Sequence, residues 1–123
     1  MLAHAIYAIA TAPSGCPDLT IRQLYVDVPQ ISPYAWLLSV RAHVENVGTV
    51  TVPIPSATAF SLNGQLIGEA RTSPLAPGAG EQASTTYLLT AGSYILTVMV
   101  DSKQQVSECN EENNIRETII TVP

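Results

Sequence analysis

The stretch WLLSVRAHVEN, residues 36–46, alternates apolar and polar side chains with a period of two. Trp36, Leu38, Val40, Ala42 and Val44 fall on one side, and Ser39, Arg41, His43 and Glu45 on the other. Successive side chains of a strand point to opposite faces, so the pattern predicts an antiparallel strand with one dry and one wet face. The same period continues on either side of this stretch. In DLTIRQLYVDV (18–28), Leu19 and Ile21 share one phase, and Leu24, Val26 and Val28 follow after a one-residue shift. A β-bulge, or a strand crossing between sheets, produces such a shift.

Towards the C-terminus, ATAFSLNGQLIGEA (57–70) keeps Phe60 and Leu62 in phase and then reaches Asn63-Gly64. That dipeptide best tolerates the two positive φ angles of a type I′ hairpin turn. PLAPGAGEQASTTYLL (74–89) is a Pro/Gly turn leading into a strand with Ala83, Thr85, Tyr87 and Leu89 in phase. AGSYILTVMVD (91–101) and NIRETIITV (114–122) add Tyr94, Leu96, Val98 and Val100, then Thr118, Ile120 and Val122. About seven short strands, with turn signals roughly every 8 to 12 residues, predict an all-β sandwich of antiparallel strands.

A chain of 123 residues forms one core-sized unit. Charged residues make up 12% of it, against roughly 25% in an average soluble domain. Such a surface suits an extracellular protein or one partly covered by neighbours. The net charge is −5, and the five cations, Arg22, Arg41, Arg71, Lys103 and Arg116, are dispersed. No basic stripe is available to neutralise phosphates, so nucleic acid is excluded as a partner. No apolar run reaches the roughly 18 residues that mark a membrane span.

Catalytic chemistry has little to work with. His4 and His43 are the only imidazoles, and the sequence contains neither a Gly-x-Ser-x-Gly elbow nor a phosphate-cradling glycine loop. No catalytic residue and no organic cofactor is expected. His43 reads as an outward residue of its strand, and Trp36 as packing at the core or at one end of the sandwich. Cys16 and Cys109 cannot build a zinc cage alone.

The segments PDLTI (17–21), VENVGT (44–49), SLNGQLIG (61–68), LAPGAGEQAST (75–85), GSYILTVMVD (92–101) and VSECNEENN (106–114) occur in the order seen in CARDB modules, the cell-adhesion-related domains found in bacteria. The chain resembles that family over about residues 17 to 122, most specifically in the acidic and amide-rich series ending at Asn114. The resemblance implies a seven-stranded immunoglobulin-like sandwich in a secreted or surface-anchored protein, usually without enzymatic activity. Two features depart from the family pattern: Cys109, where a small polar residue is usual, and about 16 residues ahead of the module. The expected organisation is an N-terminal extension over residues 1–16 and the sandwich over 17–123.

In such a sandwich, the start of the first strand and the connection between the last two lie at one pole. That brings Cys16 and Cys109 within reach of a disulfide, with two free thiols as the alternative. The bond would close a loop of over ninety residues, worth about 4 to 5 kcal/mol on the chain-entropy account. The connection DSKQQVSECNEENN (101–114) is expected to be a hydrogen-bonded polar turn built on Asp101, Glu108, Asn110, Glu111, Asn113 and Asn114, since Asn and Asp satisfy local backbone groups. Calcium is the one metal that these carboxylates, with Glu112 and Glu117, could attract. Their spacing does not match an EF-hand loop.

The extension MLAHAIYAIATAPSGC (1–16) is uncharged and apolar. It shares an apolar stretch and an Ala10-Thr11-Ala12 sequence with signal peptides, but no Lys or Arg stands near its start. As a strand it is apolar on both faces, with Leu2, Ile6, Tyr7 and Ile9 as its largest members, so it wants burial on both sides. It is expected either to dock on its own domain or to add to the sheet edge of a neighbouring copy. The second arrangement repeated head to tail gives a filament. The expected partners are thus proteins, other copies of this chain or other surface proteins, at the cell surface or outside the cell.

Overall fold

The computed structural model describes residues 15–102, 108 and 114–123. Among these residues eight antiparallel strands form two facing sheets: β1 (Leu19–Asp27), β2 (Gln30–Ser32), β3 (Ala35–Asn46), β4 (Ser56–Leu62), β5 (Gln65–Thr72), β6 (Gly80–Leu89), β7 (Gly92–Val100) and β8 (Ile115–Val122). In the first sheet β3 is central, with β1 and the short β2 along one side and β6 on the other. The second sheet has the order β5-β4-β7-β8. The count exceeds the expected seven because the three residues of β2 pair with the start of β3, on the side that β1 occupies further along.

The alternation in residues 36–46 becomes the centre of the molecule. Leu38, Val40, Ala42 and Val44 are fully buried, and Trp36 packs against the core more loosely. From the second sheet, Phe60, Leu96, Val98 and Val100 meet them with no exposed surface. Each such side chain contributes roughly 1.5 to 3 kcal/mol by leaving water. The phase shift in β1 is a bulge: the register with β3 slips between Ile21 and Gln23. Asn63 and Gly64 turn the β4–β5 hairpin with φ of 49° and 83°, the positive values that this dipeptide accommodates.

Two expected inward residues remain partly wet. Val26 is 37% exposed and Tyr87 40%. They lie on β1 and β6, the outer strands of their sheet, where a side chain has a neighbouring strand on one side only.

Candidate functional site

The pole where β1 starts and β3 ends is organised by Asn46. This residue lies on the inward phase of β3 and is fully buried. Its Oδ1 accepts from the backbone N–H of Asp18 at 3.1 Å and of Gly48 at 3.0 Å. Its Nδ2 donates to the carbonyls of Val50 at 2.8 Å and Leu75 at 3.1 Å. All four side-chain positions are thereby used, as a buried amide requires. One side chain joins β1, the loop after β3 and the turn before β6. Gly48 completes the join, since a Cβ there would lie 2.2 Å from the carbonyl oxygen of Cys16.

The connection between β7 and β8 reaches the same pole. Asp101 is buried with φ of 53°, in the left-handed region that Asp tolerates better than most residues. Glu108 accepts from the backbone N–H of Leu19 and, at 2.8 Å, from Nδ2 of buried Asn114. Asn110, Glu111, Glu112, Asn113 and Cys109 lie outside the described residues, as do Leu2, Ile6, Tyr7 and Ile9 of the expected assembly strand. Among the described residues no cysteine is free. Nor do three His, Cys, Asp or Glu side chains gather anywhere among them to hold a metal. Glu117, on β8, accepts instead from the Thr97 hydroxyl at 3.3 Å. Glu111 and Glu112, the other carboxylates of the calcium reading, lie outside the described residues.

A different surface covers the outside of the second sheet. The register pairs Ile95 with Ile119, Met99 with Ile115, and Ala59 with Met99. Side chains opposite one another share a face, so these form an apolar band of two rows, Ile95–Ile119 and Ala59–Met99–Ile115, divided by the polar row Ser61, Thr97 and Glu117. Ile119 is 73% exposed, Ile95 49% and Ile115 48%. Among the described residues β8 ends the strand order, and its eight residues pair with β7 without a register slip. Natural edge strands usually carry a bulge, a Pro or a Lys that discourages further pairing, and none occurs within β8. Arg116 and Glu117 are its only charges. Sequence reading missed this band, although both phases of 93–99 and 115–121 contain large apolar residues.

The CARDB family profile matches residues 16–118. Among solved structures, the CARDB domain of a Pyrococcus furiosus protein, determined in complex with di-metal ions, has 27% sequence identity and a TM-score of 0.71. The match covers 88% of this chain and 90% of that one. A Methanosarcina acetivorans domain with a provisional cell-surface name matches with a TM-score of 0.69 at 24% identity, over 88% of this chain and 93% of its own. The sandwich also recurs within a much larger Bacteroides fragilis protein named as a β-galactosidase, at 15% identity and a TM-score of 0.57, covering 85% of this chain but 17% of that one. This last likeness, like that to the Methanosarcina domain, is one of fold alone. Among curated proteins none matches the chain.

Proposed function

The chain belongs to the CARDB family, and from that premise we propose that it is a non-enzymatic structural or adhesion module of a secreted or cell-surface protein, joined to other copies of itself through β8 and the apolar band beside it. The observation that carries this reading is the band itself: Ile115 and Ile119 on the edge strand β8 and Ile95 on the adjoining β7, each about half exposed or more, on an edge that carries no bulge, Pro or Lys. Exposed apolar side chains grouped beside an open sheet edge mark interaction sites. Charge selects the register of a two-fold pairing between β8 strands. Centring on Glu117 would set like carboxylates face to face, whereas centring on Ile119 stacks two isoleucines and leaves Glu117 opposite Thr121 of the other copy.

The proposal includes a disulfide between Cys16 and Cys109. It is supported by Glu108, the residue before Cys109, whose carboxylate accepts from Leu19 N three residues after Cys16. Such a bond suits an oxidising, extracellular location. The Pyrococcus relative was solved with di-metal ions, and Glu111 and Glu112, the carboxylates by which this chain could attract calcium, lie outside the described residues.

A second reading uses the same open edge. Residues 1–12 of one copy would add beside β8 of the next, giving a filament by strand donation. Light scattering on the full chain and on residues 16–123 tests the choice. Assembly that survives the truncation supports β8 pairing, assembly lost with residues 1–15 supports donation, and a monomeric full chain contradicts both.

A further inference from the structure

The outer face of the first sheet is built from different chemistry. The register across β1, β3 and β6 sets Gln23, His43 and Gln82 in one row, and Tyr25, Arg41 and Ser84 in the next. Gln23, Tyr25, Arg41, His43 and Gln82 line a shallow depression of about 320 Å³. The bulge between Ile21 and Gln23 is what puts Gln23 and Tyr25 on this face. Without that shift, the residues after it would point to the opposite side.

The side chains hold one another in place. The Arg41 guanidinium lies over the Tyr25 ring, 5.1 Å from its centroid, and the Tyr25 hydroxyl donates to Gln23 Oε1. Glu45 lies 3.6 Å from Arg22 and 3.7 Å from His43, so it engages the cation and the imidazole at the margin of the depression. Arg41 has no carboxylate partner among the described residues. Gly80 makes room for the imidazole, since a Cβ there would fall 2.6 Å from His43 Nε2.

We propose that this depression binds a carboxylated sugar residue of a glycan, with the ligand's carboxylate on Arg41 and its hydroxyls on Gln23, Gln82 and His43. Each glutamine amide offers both donors and an acceptor, which matches hydroxyl groups that do both. A guanidinium presents paired N–H groups that fit a carboxylate side by side. The Tyr25 ring adds a flat apolar surface at the edge of the depression. A chain of net charge −5, with Glu45 beside the site, would repel a densely charged polyanion. One cation without a carboxylate partner suits one negative charge per sugar. An apolar ligand would find too little depth and too few apolar walls. This inference is independent of the self-association read from the opposite sheet.

The test is an amide chemical-shift titration of the full chain with trigalacturonic acid, its methyl ester, sialyllactose and sodium acetate, each at millimolar concentration. At least one acidic sugar should shift Gln23, Tyr25, Arg41, His43 and Gln82 together. Arg41→Gln should weaken that binding about tenfold or more while the protein stays folded and loses no more stability than the stacking of Arg41 on Tyr25 supplies. For trigalacturonic acid, esterification should weaken it comparably. The proposal is overturned if neither acidic sugar moves these residues, if the ester binds as well as the acid, if acetate reproduces the shifts, or if Arg41→Gln binds like wild type.

Discussion

Replacing Asn46 by Ala removes four hydrogen bonds at once and leaves two N–H groups and two carbonyls without their partner. At a net value of about 1 kcal/mol per bond, the ceiling for simple loss is about 4 kcal/mol. Three of the four bonds lie in partly buried surroundings, where water can replace the amide, and only the bond to the Leu75 carbonyl is fully buried. Asn46→Ala should therefore cost about 3 kcal/mol, lowering Tm by roughly 10 to 15 °C for a domain of this size. Asn46→Asp separates hydrogen bonding from bulk. It keeps the shape and the two accepted bonds, but it turns an oxygen towards the carbonyls of Val50 and Leu75, so it should cost at least as much as Ala. Urea unfolding followed by the fluorescence of Trp36, the single tryptophan, measures both variants. The reasoning is refuted if Asn46→Ala loses less than about 1 kcal/mol at unchanged denaturant slope, or if Asn46→Asp matches wild type.

Three further outcomes follow from the same geometry. The hydroxyls of Thr58 and Thr72 are buried without a hydrogen-bond partner, so Thr58→Val and Thr72→Val should each raise stability by about 1 kcal/mol; a loss in both would show that the hydroxyls are satisfied. Gly48→Ala should destabilise by about 2 kcal/mol or more, because the new Cβ meets the backbone of residues 16–18 rather than a movable side chain, whereas Gly64→Ala, with open space around it but φ of 83°, should cost about 1 kcal/mol. Intact mass after alkylation without reduction should show no modified thiol, and reduction should lower stability by up to about 4 to 5 kcal/mol; two alkylated thiols would remove the proposed Cys16–Cys109 bond.

The strands were legible because their signals are local. Alternation through 36–46 marks β3 by itself, and Asn63-Gly64 marks its hairpin, since neither depends on what lies across the core. The bulge in β1 was equally readable as a phase slip between Ile21 and Leu24. Asn46 left a fainter trace: it continues the inward parity of Leu38, Val40, Ala42 and Val44, so a polar residue there required buried partners. Those partners are Asp18, Gly48, Val50 and Leu75, and the last of them lies on a turn that periodicity cannot bring to β3. The two outer surfaces were hidden for a similar reason. Ile95 and Ile119 become neighbours only when β7 and β8 pair, and Arg41 meets Tyr25 and Ser84 only when β1 and β6 flank β3. Strand order is a property of the whole chain, and a hydrophobic period does not encode it.

Sedimentation equilibrium on the full chain and on Ile119→Lys addresses the association through β8 most directly. Lys at this position puts a charge on the edge strand itself, on the most exposed of the band's three isoleucines, where the folded monomer has little packing to lose. Wild type should assemble in a concentration-dependent way, and the variant should be a folded monomer. A wild type that stays monomeric throughout, or a variant that assembles as wild type does, would contradict association through β8.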